Sequence, residues 1–522
     1  MKVELDIKVP IESSLEEELK KLGVDIPYEI VRKSLDARKK PIYFYRVVVD
    51  LEEDIDKKLI GEGKAREHKE IEEIPIPKII HKKKVLVVGT GPAGLFASLV
   101  LAKSGFDVVI VERGKPIEER EKDVARFWQK RKLDENSNVQ FGEGGAGTFS
   151  DGKLTTRVKD KKKHFIYKVL VECGAPKEIL YESKPHVGTD KLKEVIPNFR
   201  RKLQDLGVEF RFSTKLEGLK VRDGKVEEVH LLNLETNVKT VEKFDYVFLA
   251  IGNSARDTFS MLKRERVYLE AKPFAVGLRV IHRQKTINRV QYGRKYFKHE
   301  KLPPADYSFT YKGRERNVFS FCMCPGGFVI CASSEKNSVV CNGMSNYKRD
   351  SGYANSAIVV QVFPEDFEND PFKAIEFQRN LERAAFVMGG SNYGMPAQRV
   401  WDFINGESSS KLIEGGYIPE LKSARLDRLL PPPIRNHIKE AFLYWSKRMP
   451  FFVPENATFV GVETRTSSPV RIVRKEDFSS VSADNLFPIG EGAGYAGGIT
   501  SSAIDGINAA LSLIERLNGK TS

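Results

Sequence analysis

Apolar and charged residues alternate from Val3 to Val9, which predicts a strand with one buried face. Ser13-Ser-Leu-Glu-Glu-Glu-Leu then places hydroxyl caps before glutamates, and helical spacing runs on to Gly23. The spacing predicts a second amphipathic helix over 28–37. The segment 42–50 is β-branched and aromatic, hence a strand. Basic and aromatic residues interleave from Arg38 to Arg46. We read them as a half-buried strand behind a basic loop, with nucleic-acid contact as the rival. Residues 61–80 are charged and proline-punctuated, as a linker is. The first 80 residues thus form a small α+β module and its linker.

The rhythm changes after Lys84. Val85-Leu-Val-Val and Val108-Val-Ile-Val are unbroken apolar runs, as strands covered on both faces are. Between them, Gly89-Thr-Gly91-Pro92-Ala93-Gly94 opens a helix that ends at Gly105. Gly89 permits a tight turn, Gly91 lets backbone approach a pyrophosphate, and Gly94 lets the helix pack closely on the sheet. The helix N-terminus offers free N–H groups and partial positive charge, about 0.3–2 kcal/mol per favourable charge. Glu112 lies 18 residues past Gly94, where a carboxylate that accepts from a ribose hydroxyl is expected, and Arg113 follows it. Strand, glycine turn, helix, strand and acid in this register specify dinucleotide binding.

Three later segments narrow the dinucleotide. Phe141–Leu154 is glycine-rich, with Gly144, Gly145 and Thr148 inside it. An apolar run from Tyr246 ends in Ala250 and Gly252. Near the C-terminus, Gly490-Glu491 precedes Gly498-Ile499 and a long helical stretch. The ordered set resembles the glutathione-reductase-type FAD fold. That resemblance implies that the first glycine motif holds the ADP half and that the strand ending at Gly252 lies beside the cofactor. It also implies that the late glycine–acid motif meets the ribityl-phosphate region, with Glu491 in place of the usual Asp. The last helix, opening at Ile499 and Thr500, would point at the flavin pyrimidine ring. Cofactor contacts are expected from Gly89, Gly91, Pro92, Ala93, Gly94, Glu112, Arg113, Gly144, Gly145, Thr148, Ala250, Gly252, Gly490, Glu491, Gly498 and Ile499. Lys184–Asp190, Asn253–Phe259, Lys272–Arg279, Phe321–Gly327 and Pro396–Val400 resemble the signature of uncharacterised FAD-dependent, "NAD(FAD)-utilising" dehydrogenases. This likeness covers nearly the whole chain.

The expected architecture is α/β. A discontinuous Rossmann-like FAD-binding domain takes residues 81–274 and 451–522. An inserted α+β cap, or substrate domain, takes 275–450, with helices over 371–388 and 433–448. The N-terminal module takes 1–80.

Composition adds bounds. Hydrophobic residues at 41% and charged residues at 30% suit a globular protein with a large core. There is no apolar run of about 18 residues and no signal-peptide block, so a cytoplasmic protein without membrane contact is expected. Five cysteines, an odd number, do not make a secreted disulfide framework, and none has metal-like spacing with histidine. The net charge is +14, and residues 1–84 are near neutral, so the excess lies in the body of the chain. It reads first as a solvated lysine-rich surface, next as a field steering anionic substrates, and last as a nucleic-acid surface.

Candidate chemistry lies where side chains could face a flavin. Cys322 and Cys324 are two apart, so a strand would turn both thiols to one side. Packing is the blander reading of the pair. Arg279 could orient an anionic substrate and His282 could shuttle protons. His186, Gln398, Arg399 and Arg465 are further candidates. Only one complete dinucleotide fingerprint is present. Either NAD(P)H donates electrons transiently at another surface, or the substrate supplies them. The expected protein is an FAD-dependent oxidoreductase that holds FAD non-covalently and passes hydride between flavin and a small substrate, an anionic one fitting the positive charge. Its rivals are a flavin-dependent RNA-modifying protein and a non-catalytic FAD-bound scaffold or sensor.

Overall fold

The computed structural model describes residues 2–50, 65–70, 73–449 and 452–519. A five-stranded parallel sheet forms its centre, in the order Leu486–Pro488, Tyr246–Leu249, Lys84–Val88, Asp107–Val111, Glu209–Arg211. Its strands are short and almost wholly apolar because both faces are covered. On one face lie helices Pro92–Ser104, Lys162–Glu172, Thr189–Asp205 and Ile499–Leu517, which share a core with the sheet. On the other lies an antiparallel three-stranded sheet, Thr214–Arg222, Lys225–Asn233 and Lys239–Glu242. Leu216 and Leu219 pack there against Val109 and Val111. Chain order reverses on either side of Lys84–Val88, and a crevice opens at the C-terminal ends of strands at such a point.

The cap is built on a seven-stranded sheet ordered Thr310–Lys312, Asn317–Pro325, Tyr353–Val362, Phe274–Arg283, Thr458–Glu463, Met395–Arg399, Leu421–Ser423. Helices Pro371–Met388 and Pro432–Arg448 cover it through Leu381, Phe386, Phe442 and Trp445. The domain boundary expected at residue 451 is displaced by this sheet. Thr458–Glu463 is the cap strand between Phe274–Arg283 and Met395–Arg399, not the start of the returning FAD-binding segment. All six of its residues are buried, because it is central in that sheet.

The N-terminal module contains the capped helix Leu15–Lys21, whose Ser14 and Glu17 form a reciprocal capping box. Its four-stranded sheet runs Tyr28–Asp36, Ile42–Asp50, Lys2–Pro10, Ala65–Glu67. Two expectations are corrected here. Residues 28–36 are a strand rather than a helix, because they pair in a hairpin with Ile42–Asp50, Tyr28 opposite Val49 and Asp36 opposite Ile42. Their outer edge is also used: the Lys33 N–H donates to the Tyr181 carbonyl (2.8 Å), and the Ser183 N–H donates to the Lys33 carbonyl (2.9 Å). Both faces of the strand are half-covered and none of its residues is fully buried, so no period-two signal marks it. The linker expected from residue 61 begins later, since Ala65–Glu67 pairs with the first strand. Residues 61–64 and 71–72 of that linker lie outside the described residues.

Candidate functional site

A cavity of about 260 Å³ opens at the reversal point, between the layers of the parallel sheet and the cap. Its floor is the first glycine turn. Gly89 has φ +107°, and a Cβ there would stand 2.3 Å from the Ala250 carbonyl oxygen. A Cβ on Gly94 would stand 2.0 Å from the Gly89 carbonyl oxygen, so the helix lies as close to the turn as bare backbone allows. Gly91 differs: its Cβ would meet nothing within 4 Å, and the residue lines the cavity at the N-terminus of helix Pro92–Ser104. Open space, free N–H groups and a helix N-terminus coincide there, which is what an anionic diphosphate requires.

Of the expected cofactor contacts, Gly89, Gly91, Pro92, Ala93, Glu112, Arg113, Gly145, Ala250, Gly252, Gly490, Glu491, Gly498 and Ile499 line the cavity. Gly94, Gly144 and Thr148 do not; they stand behind its wall. Thr148 is buried and its carbonyl accepts from the Thr189 hydroxyl at 2.7 Å, so it fastens the loop to helix Thr189–Asp205. Glu112 is at the wall, but its carboxylate is already shared among four protein donors. Oε2 accepts from the Thr90 N–H (3.1 Å) and hydroxyl (2.8 Å), and Oε1 accepts from the N–H groups of Gly114 (2.9 Å) and Gly142 (3.1 Å). In this conformation Glu112 clamps three loops rather than awaiting a ribose. Arg113 lies over the Phe141 ring, 4.3 Å from its centroid, and pairs with Asp257 at 2.9 Å.

Glu491 is held by the Asn253 amide, which donates to its Oε1 at 2.8 Å and to the Arg465 carbonyl at 3.0 Å. Burial pushes the Glu491 carboxyl up to about 7, partly opposed by Lys272. Arg465 lines the cavity and belongs to a buried ion network that ties the two domains together. Glu382, on helix Pro371–Met388, receives Arg256 at 2.8 Å, Arg465 at 2.8 Å and the Thr464 hydroxyl at 2.6 Å. The two guanidinium groups hold the Glu382 carboxyl well below the usual carboxylate range.

The cap contributes a wall in which the two candidate cysteines part company. Asn317–Pro325 pairs with Tyr353–Val362, but the register slips between Phe321 and Cys324. Cys322 sits in that bulge with φ +43°, a left-handed conformation that costs a side-chain-bearing residue about 1–3 kcal/mol. The bulge breaks the i, i+2 rule. Cys322 lines the cavity, whereas Cys324 is fully buried behind it and its thiol donates to the Cys322 carbonyl at 3.4 Å.

Five other candidates lie elsewhere. Arg279 is buried in the cap sheet, its Nε donating to Glu463 at 2.9 Å and its Nη1 to Asn355 at 2.7 Å and the Cys322 carbonyl at 3.2 Å. It supports the wall and does not face the cavity. His282 packs 5.1 Å from the Phe452 ring in the cap core, where burial drives its pKa down to about 4 and keeps it neutral. The alternation of Phe274–Arg283 fails as a guide because that strand is covered on both faces. Gln398 is spent on Glu407 and Asp427, and Arg399 on Asp402, all within the cap. His186 stacks on Tyr347 and binds its carbonyl at 2.9 Å, outside the cavity.

Sequence reasoning missed Lys153, Asn253 and Asn342, which line the cavity. Lys153 and Asn253 lie inside segments already marked by glycines, which was the available signal. Asn342 comes from a strand with no local signature, whereas Glu463 opens the polar turn that holds the candidate Arg465 and lines the cavity with it. Lys153 donates to the Met323 carbonyl at 2.7 Å, joining the glycine loop to the cysteine bulge.

Glu143 stabilises the same loop from behind. Its Oε2 accepts from the Ile117 N–H at 2.8 Å and from Arg200 at 3.1 Å, and burial raises its pKa from 4.5 to about 7. The folded protein therefore keeps this proton to higher pH than the unfolded chain does. The contribution is fully present below about 4.5 and is lost as pH rises through about 7, a loss approaching about 3 kcal/mol. Urea unfolding at pH 5 and pH 8 should show this decline, and Glu143→Gln should reduce it, leaving the part that Glu491 contributes. Equal pH slopes for both proteins would remove Glu143 as its source.

Comparison with known proteins adds three findings. A family model described as an FAD binding domain matches residues 82–134, and one described as the C-terminal domain of FAD-dependent proteins matches residues 273–466. An uncharacterized protein of Clostridium beijerinckii is 44% identical over 500 residues, 94% of this chain and 92% of its own. Among solved structures, a flavoprotein/dehydrogenase from Cytophaga hutchinsonii is 12% identical, with 84% of this chain and 80% of that one covered at a TM-score of 0.35. CtdE in complex with FAD is also 12% identical, with 84% and 89% covered at a TM-score of 0.32.

Proposed function

We propose, for a chain that belongs with its Clostridium relative to a family of FAD-dependent proteins, that it is an oxidoreductase passing hydride between FAD and a small substrate admitted from the cap side. The observation that carries this reading is the continuity of the cavity. One space runs from Glu112 and Arg113, past the open Gly91, to Lys153, Cys322 and Asn342. The residues fit the cofactor: bare backbone at Gly91 faces the space a pyrophosphate needs, and a Cβ would fill it.

When bound, FAD supplies a two-electron centre that accepts or donates hydride. The protein supplies position and field. Helix Pro92–Ser104 presents its N-terminal amides to the diphosphate. Helix Ile499–Leu517 begins at the cavity with Gly498 and Ile499, where its N-terminus favours negative charge. Glu491, oriented by Asn253, gives a carboxyl group for sugar-like hydroxyls. Lys153 and Arg465 place two cations on the wall, which favours an anionic substrate. Phe321, 42% exposed, adds an apolar edge beside them.

NAD(P)H would serve as a transient electron donor from solution, since only the first glycine turn has the full dinucleotide fingerprint. Among the described residues no helix is long and apolar enough to cross a membrane. The test is anaerobic addition of NADH, NADPH and a panel of small carboxylates to the FAD-loaded protein, followed by visible absorbance. Bleaching by one of them within seconds is expected. A flavin that dithionite reduces but none of these donors does would favour the scaffold or sensor reading instead.

A further inference from the structure

The cysteine bulge has a chemistry that packing does not require. Resting on the FAD reading above, we propose that Cys322 is a catalytic-site thiolate held against the flavin ring, with Cys324 and Arg279 as the groups that keep it charged.

The placement is set by the elements that converge on the bulge. Lys153 ties the glycine loop to the Met323 carbonyl, one residue from Cys322. In the same loop, a Cβ on Gly147 would stand 3.2 Å from the Ile499 side chain, so loop and final helix touch. The Thr500 hydroxyl donates to the Leu154 carbonyl at 2.7 Å and closes the junction. Cys322, Lys153, Gly147 and Ile499 all line the cavity, as Glu112 does. The nucleotide half is fixed by the first glycine turn, so the remaining, cap-side end is left for the ring system.

The electrostatics favour the ionised sulfur. The Cys324 thiol, which donates to the Cys322 carbonyl while that sulfur is protonated, is also in hydrogen-bond reach of the sulfur itself, and the Arg279 guanidinium, itself fully buried, lies against the Cys322 backbone. Lys153 adds a second positive charge. Together they pull the Cys322 thiol down to about 6, while burial and the adjacent thiolate push Cys324 well above the ordinary range. The bulge with its left-handed Cys322 leaves Cys322 on the cavity wall and Cys324 fully buried behind it, with the two side chains still in hydrogen-bond reach of each other. Of the cysteines, Cys173, Cys324, Cys331 and Cys341 are buried and only Cys322 is partly open. A structural thiol would be served equally well by burial.

Two readouts test this without a known substrate. The first is iodoacetamide labelling of the native apoprotein, mapped by mass spectrometry. Cys322 should label alone, with a rate that rises through about pH 6, and saturation with FAD should slow it at least tenfold. The second is the visible spectrum of the FAD-loaded protein. A thiolate against oxidised flavin gives a broad charge-transfer band at wavelengths longer than the main flavin absorption. That band should appear as pH rises through about 6, vanish in Cys322→Ser, and persist in Cys324→Ser with its midpoint moved to higher pH. Labelling that FAD does not slow, or normal flavin absorption with no such band at pH 8, would overturn the thiolate proposal while leaving FAD binding intact. A protein that takes up no FAD would overturn the functional reading first. In that event, labelling that still rose through about pH 6 would retain the charged thiol but not its partner.

Discussion

Gly91→Val should yield a folded, colourless protein. A Cβ at this glycine would meet no protein atom within 4 Å, and its backbone is in a region any residue adopts, so the fold should survive. The branched side chain instead fills the space facing the N-terminus of helix Pro92–Ser104, where the diphosphate must lie. Loss of a diphosphate held by several amides should weaken FAD binding by about a thousandfold or more, since each charge-assisted hydrogen bond contributes about 1.5–3 kcal/mol. Gly94→Val is the contrasting variant. Its Cβ would press on the Gly89 carbonyl at 2.0 Å, so this change should lower stability as well as FAD content. Circular dichroism, thermal unfolding and bound-flavin absorbance, measured together, separate the two. If Gly91→Val stayed yellow, the pyrophosphate would have to lie elsewhere.

The second large effect is expected at Glu382. It is fully buried and receives two guanidinium groups that come from different domains, Arg256 from helix Arg256–Arg264 and Arg465 from the segment after Thr458–Glu463. Glu382→Ala would take from both cations their shared, fully buried counter-charge, leaving Arg256 with Glu335 alone. Breaking a buried pair in this way costs about 3–5 kcal/mol. Because Arg465 also lines the cavity, FAD affinity should fall with stability. Glu382→Gln keeps the shape and one acceptor, so it should lose less. Urea titration of both variants gives the ordering, and a loss below about 1 kcal/mol in Glu382→Ala would mean that Glu335 and Gln378 already satisfy Arg256.

The parts of this protein that were legible in its sequence are those whose chemistry is local. Gly89, Gly91 and Gly94 are fixed by one turn, and their roles follow from three positions within six residues. The unbroken apolar runs marked parallel strands for the same reason. Glu112 was correctly placed at the cavity wall, but its four donors come from Thr90, Gly114 and Gly142, and no spacing rule reveals such occupancy. The cysteines show the complementary failure. Strand alternation put both thiols toward one site, and a single bulged register leaves Cys322 alone on the cavity wall with Cys324 buried behind it. His282 and Arg279 were read as exposed chemistry because a strand was assumed to have a wet face, and theirs has none. Residues 28–36 became a strand through partners far away in the chain, among them the 181–183 segment.

All of these statements depend on FAD entering the cavity between the parallel sheet and the cap. The most direct measurement is titration of stripped apoprotein with FAD, followed by quenching of flavin fluorescence. Saturation at one FAD per chain is predicted, with Gly91→Val showing no saturable change over the same range. Absence of saturable quenching in the folded wild-type protein would contradict the account at its base.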